Sequence, residues 1–150
     1  MSNEAAATAL IETARSFLGM TLREARDLLG ADAHIVPGDE YGRLRDVTSL
    51  ESAAVFPGTL YVEADEVRLV RVNRNGLQGM TRADLCSQME GDPIRLRSRA
   101  GKTAQLLVYA SQGVAFSSEG ADLHFLEAFS PCTQREYETQ YYRAPGTFIR

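Results

Sequence analysis

The chain has 150 residues, a formal net charge of −4 and only two cysteines, with 44% hydrophobic and 24% charged residues. That length suits a single domain that buries its own core, and two cysteines exclude a disulfide-dense secreted scaffold. The acid excess argues against nonspecific nucleic-acid binding, which needs net positive charge or a basic patch.

The N-terminal stretch "MSNEAAATALIETARSFLG" has no basic leader and no long apolar run. It reads as an amphipathic helix and not as a signal peptide, so the expected location is cytoplasmic, away from any membrane. Asn3 is placed to cap a helix from about Glu4 to Leu18. Leu10, Ala14, Phe17 and Leu18 supply its apolar stripe, and Gly19 its stop. A second short helix follows. Thr21 and Glu24 have the spacing of a capping box, Leu22, Ala25, Leu28 and Leu29 share one side, and Gly30 ends it. "ADAHIVPGDEYG" at 31–42 then reads as a loop, with Pro37 and Gly38 as turn residues.

Strands are expected at Arg43–Val47, Ala53–Phe56, Leu60–Glu63 and Val67–Val72. Ala64-Asp65-Glu66 makes the last two a hairpin. After "NRNG" at 73–76 the order recurs. Thr81 caps with Asp84 at the third helical position, Leu85 and Met89 mark an apolar side, and Gly91 stops the helix. Strands follow at Ile94–Arg99, Gln105–Tyr109, Val114–Ser117 and Asp122–Phe129, the last pair joined by Ser118-Glu119-Gly120. A final helix spans about Gln134–Tyr142, and "RAPGTFIR" leaves it as an extended tail.

Gly-Met-Thr occurs at 19–21 and 79–81, Arg-Leu-Arg at 43–45 and 95–97, and "AAVF" at 53–56 has the place and character of "LLVY" at 106–109. The shared order predicts an internal duplication, about 19–72 and 79–129, within a single domain at 1–150. Neither unit buries its helix and its sheet face alone. The expected fold is therefore α+β: two tandem helix-then-antiparallel-strand units that form one sheet, with the helices, including the terminal ones, packed on one face.

"GMTLREARDLLG" and "GMTRADLCSQMEG", each followed by antiparallel strands that end in a hairpin, resemble the repeat of the β-lactamase-inhibitor-protein-like fold, also seen in small outer-membrane assembly lipoproteins. The resemblance covers roughly Gly19–Phe129. It implies a scaffold that binds another protein on its open sheet face, and not an enzyme; it transfers no individual binding residue.

The chain carries few motifs that point to catalysis or cofactor binding. "RAGKT" at 99–103 ends like a phosphate-binding loop, but Leu96 stands where the leading glycine belongs. His34, His124, Cys86 and Cys132 include no closely spaced ligand pair, so no metal and no cofactor is expected. Nothing local supports a Cys-His or Ser-His nucleophile, although such partners are distant in sequence. Asp39-Glu40 and Asp65-Glu66 read as solvated turn acids.

Arginine alternation stands out. Arg95, Arg97 and Arg99 lie opposite Ile94, Leu96 and Ser98, Arg43 and Arg45 flank Leu44, and Arg71 shares its face with Leu69. Cross-strand partners for acids such as Glu63 explain arginines on a solvated face. A recognition surface is the sharper expectation: Arg43, Arg45, Arg95 and Arg97, with Tyr61 and Tyr109 as aromatic anchors, facing an acidic surface on another protein. The function expected is a protein-binding module, an inhibitor or immunity-type antagonist, monomeric or weakly dimeric. A small acidic secretion chaperone, or a ligand-binding protein or enzyme with its site between the two halves, are the alternatives.

Overall fold

A computed structural model of the chain describes residues 3–146. The end of the expected tail, 147–150, lies outside the described residues. Helices α1 (Glu4–Ser16) and α2 (Leu22–Leu29) precede strands β1 (His34–Tyr41), β2 (Leu44–Ser52), β3 (Phe56–Glu63) and β4 (Glu66–Val72). A short helix α3 (Arg82–Cys86) precedes β5 (Ile94–Arg97), β6 (Gln105–Tyr109), β7 (Val114–Glu119) and β8 (Asp122–Phe129), and α4 (Gln134–Gln140) closes the chain. All eight strands form one sheet in the order β1-β2-β3-β4-β8-β7-β6-β5, and every pairing is antiparallel. The fold is α+β. Each half is a four-stranded meander, and the two meet where β4 pairs with β8, Val70 opposite Ala128 and Arg71 opposite Glu127.

The two Gly-Met-Thr segments occupy matching places. Gly19 and Gly79 both have left-handed φ, +84° and +81°, which turns the chain into the next helix. Thr21 and Thr81 each accept from the third helical amide and receive a carboxylate in return, so both helices start with a complete capping box. Each start is also tied to the turn of its own last hairpin. The Leu22 amide donates to Asp65 (3.0 Å), and the Arg82 amide donates to the Ala121 carbonyl (3.3 Å).

The loop expected at 31–42 is instead mostly strand β1. Pro37 and Gly38 sit where the β1–β2 register slips, between Val36 and Asp39. A proline inside a strand is tolerated there because β1 is an edge and the bulge takes up the missing donor. "AAVF" is not a strand: β2 runs on to Ser52, residues 53–55 form the turn, and Val55 is 54% exposed. The Arg-Leu-Arg segments also part company. Arg43 ends the β1–β2 turn and Leu44-Arg45 opens β2, the second strand of its half, whereas Arg95–Arg97 lies on β5, the first of the other.

Two buried clusters line the two faces of the sheet. On one face Ala7, Ile11 and Phe17 of the N-terminal segment, Leu29 of α2 and Leu85 of α3 pack on Leu50, Leu60, Val70, Phe116 and Leu126. Burying a residue of this size is worth roughly 1.5–3 kcal/mol, so this layer dominates the fold's stability. Asn3 does not cap α1 with its side chain. Its amide donates to Asp84 (2.9 Å) and its side-chain amide to the Gly79 carbonyl (3.1 Å), which pins the start of α1 to the start of α3.

The final helix departs from the one-face expectation. Tyr137 and Tyr141 pack on the opposite face, against Leu69, Phe125 and Phe129. The β1–β2 turn is pulled to the same place: the Arg43 amide donates to the Tyr141 carbonyl (3.1 Å), and an added Cβ at Gly42 would lie 2.2 Å from that oxygen. Half a turn of helix or a one-residue change in strand register moves such contacts to the other face, which is why helix position read from sequence did not fix the layer.

Candidate functional site

The short α4 covers only part of its face. Beside it lies a hollow of about 410 Å³, bounded by the β1–β2 turn, the β5–β6 loop and the α4 segment. Its lining includes Tyr41, Arg71 and Glu127, with Arg97, Arg99 and Arg143 also contributing.

Glu127 lies at the centre of the arrangement. It is 5% exposed, on the strand that joins the two halves. The Tyr41 hydroxyl donates to Oε2 (2.5 Å) and the Tyr137 hydroxyl to Oε1 (2.6 Å). One donor comes from the first hairpin and the other from the last helix, so the carboxylate fastens three distant segments. Burial holds the Glu127 carboxyl above its ordinary pKa, although both hydroxyls and Arg71 favour its charged form. Burial and the neighbouring Glu127 likewise push Tyr41 and Tyr137 well above the ordinary phenol value. Tyr61, stacked on Tyr41 at 4.8 Å, is pushed up to about 12 by burial.

Arg71 is opposite Glu127 in the register, yet its guanidinium sits over the rings of Tyr41 and Phe125, at 5.8 and 5.0 Å. Its Nε is covered and has no hydrogen-bond partner among the described residues; His124 Nε2, on another lining residue, has none either and lies 3.6 Å from Glu119. Four tyrosines line the hollow, and their hydroxyls are turned to the protein. Tyr41 and Tyr137 bond Glu127, Tyr142 donates to the Arg97 carbonyl (2.9 Å), and Tyr141 meets Arg68 (3.5 Å). What they offer the hollow is ring surface.

Charge on the lining is one-sided: four arginines stand against Glu40 and Glu127. Glu40 pairs with Arg45 (2.6 Å) and lies 3.9 Å from Arg143. Among the described residues Arg71, Arg97 and Arg99 have no carboxylate within ion-pair distance. The result is an electropositive depression on an acidic protein.

The residues expected to form one recognition surface are not brought together. Arg43 donates to the Tyr142 carbonyl (2.7 Å) and Arg45 pairs with Glu40, both at the β1–β2 end. Arg95, on β5 at the far edge of the sheet, reaches Gln105 on the face that carries α1–α3. Of the four, Arg97 alone borders the hollow; it stands opposite Gln105 in the register, on the same side of β5 as Arg95, and its carbonyl receives the Tyr142 hydroxyl. Tyr61 (8% exposed) and Tyr109 (4%) are buried in the clusters of opposite faces, so neither is free to anchor a partner.

The residues missed were Tyr41, Arg71, Glu127 and Tyr137. One signal was available. Strand alternation in "DLHFLEAF" places Glu127 between Phe125 and Phe129 on one face, and an acid flanked by two phenylalanines on an inward face is unusual enough to mark.

Both Glu127 oxygens are occupied, and the Ser98 hydroxyl on the lining is engaged with Ser117 (2.5 Å) and the Ala100 amide (3.1 Å). Among the described residues no group of three or more His, Cys, Asp or Glu could hold a metal, and no helix is long and apolar enough to cross a membrane. Compared with protein-family models, curated proteins and solved structures, the chain matches none.

Proposed function

We propose that this chain is a non-enzymatic protein-binding module, inhibitor or immunity-type in character, that seats an acidic surface of another protein on the sheet face opposite α1–α3. The observation that carries the reading is the rim: Arg97 and Arg99 are exposed, lack acidic partners among the described residues, and border a concave aromatic surface on a chain of net charge −4. Arginine beside aromatic rings is the composition that concentrates interface energy. The resemblance of the Gly-Met-Thr units to inhibitor-like repeats points the same way, as analogy.

The test is affinity capture from the native host with the wild-type chain and with an Arg97→Glu/Arg99→Glu variant, then kinetics with the purified partner at two salt concentrations. The expected result is one folded acidic protein, whose association slows and loses salt dependence in the variant. Equal affinity of the variant for that partner overturns the reading. Capture of an extended secreted chain by a dimer favours the secretion-chaperone alternative instead.

A separate observation favours a second reading, a small-ligand-binding protein with its site between the halves. The hollow straddles the β4–β8 seam, and its volume falls in the range of ligand pockets, about 300–1,000 Å³.

A further inference from the structure

The second reading leaves open what the hollow takes. We infer that it binds an organic carboxylate carried on a flat apolar body, the anion at Arg71 and the body against the tyrosine rings. The inference rests on the small-ligand reading and goes beyond it by fixing the class of ligand.

Three features converge. The first is an unpaired cation. Arg71 lines the hollow, and among the described residues no carboxylate lies within ion-pair distance of it. A guanidinium beside a cavity without a counter-ion favours an anion from outside the chain. Its paired N–H groups match the two oxygens of a carboxylate.

The second feature is the sign of the charge. Glu127 stands opposite Arg71 with both oxygens given to tyrosine hydroxyls, and Glu40 is shared between Arg45 and Arg143. Arg97 and Arg99 remain as uncompensated cations at the rim. A cationic ligand meets repulsion on entry, and an anion is drawn in.

The third feature is the wall. All four tyrosine hydroxyls are turned to the protein, so the half-buried Tyr41 and Tyr142 present ring surface, backed by the buried Tyr137, Tyr141, Phe125 and Leu106. The ligand's polar needs must then be met by the arginines alone. That selects a molecule polar at one end and apolar over the rest. The volume admits a body of about one or two rings. Two sources share this chemistry: a free aromatic acid, and the C-terminal carboxylate of a chain ending in an aromatic residue.

The experiment uses the purified wild-type chain and four probes: 2-naphthoate, its neutral isostere 2-naphthamide, and an acetylated tripeptide ending in phenylalanine as the free acid or the amide. Calorimetry gives affinity, and amide and aromatic NMR shifts give location. The expected result is saturable binding of at least one acid, about tenfold or more tighter than its amide. Shifts should fall on Tyr41, His124 and Tyr142. Naphthoate binding the tighter assigns the site to a free acid; the peptide acid binding the tighter assigns it to a chain terminus. Arg71→Met should abolish the preference for acid over amide. Because that variant disturbs a half-buried position, Arg97→Gln/Arg99→Gln serves beside it, and should weaken both acids while its melt stays at the wild-type value. Acid and amide binding equally overturns the carboxylate inference and leaves a ligand pocket. No saturable binding of any probe at millimolar concentration overturns both.

Discussion

Arg71 and Glu127 stand opposite each other across the β4–β8 seam without closing on each other: the carboxylate accepts from Tyr41 and Tyr137, and the guanidinium lies over Tyr41 and Phe125. Each half of the chain contributes one of the two charged residues, and the aromatic residues around them come from the first strand, the last strand and the last helix. A buried pair of this kind adds little net stability by itself, because desolvation opposes attraction. It makes the removal of either partner costly, and it ties the site to the integrity of the seam.

Glu127→Gln tests the burial of that carboxylate through pH. Folding raises the Glu127 pKa, so the folded state holds the proton more tightly than the unfolded chain. The stability linked to this proton is fully present below the unfolded value, about 4.3, and is lost as pH rises through the folded value. Wild type should therefore lose stability relative to Glu127→Gln as pH climbs through and above that point. Denaturant melts of both proteins from pH 4 to 8 read the difference; a constant gap across the range contradicts a raised Glu127.

The two capping boxes are predicted to differ in weight. Thr21→Ala and Thr81→Ala should each cost about 1 kcal/mol. Asp84→Ala should cost more than Glu24→Ala, since Asp84 also accepts from the Asn3 amide and so holds the start of α1. Those backbone donors, Asn3 first and Thr81 next, lower the Asp84 pKa. Its contribution is present above the unfolded value, about 3.9, and is lost as pH falls through the folded one. Asp84→Asn should flatten the acid limb of the melt below pH 4, and an unchanged limb argues against the contact.

Gly113→Ala should be among the most damaging single-methyl additions. The residue has φ +69°, and a Cβ there would meet the Phe129 carbonyl oxygen at 2.2 Å. Backbone has little room to yield, so strain and overlap together should cost about 2–5 kcal/mol. Gly120→Ala is the control: φ is +62° but nothing lies within 4 Å, and the cost should stay near 1 kcal/mol. Equal losses at both sites, measured by chemical denaturation, remove the role given to close approach.

How much of this was legible depended on how local each determinant is. Thr21 with Glu24, and Thr81 with Asp84, are three residues apart, and their chemistry is complete within one turn, so the helix starts could be read directly. The β3–β4 and β7–β8 hairpins were equally local. Strand β1 was hidden because Pro37-Gly38 carries a turn signal that pairing with β2 overrides. The placement of α4 depends on Tyr137 and Tyr141 finding Phe129, a contact between rings that strand alternation does not encode. The hollow needed Tyr41, Arg71, Glu127 and Tyr137 together, spread over nearly a hundred residues, and no short window contains more than two of them. Arginine alternation was visible and correct as alternation, but pairing order separated its members by the width of the sheet.

That separation gives a prediction for the arginines one by one. Arg43→Gln, Arg45→Gln, Arg95→Gln and Arg97→Gln are all exposed changes, and each should alter stability by about 0.5 kcal/mol or less. Arg45 makes only an exposed pair with Glu40, and such pairs are worth about 0–1 kcal/mol. Binding should divide them. Arg97 and Arg99 border the hollow at the β5–β6 end, so their loss should slow association with an acidic partner and lessen its salt dependence. Arg95 reaches Gln105 and does not border the hollow, and Arg43 is engaged with the Tyr142 carbonyl, so their variants should bind as wild type does. Association kinetics at two salt concentrations, with a melt for each variant, read the split. If Arg95→Gln weakens binding as much as Arg97→Gln, the partner contacts the β5 edge from the helix side. The electropositive hollow would then be a separate site, with no part in that contact.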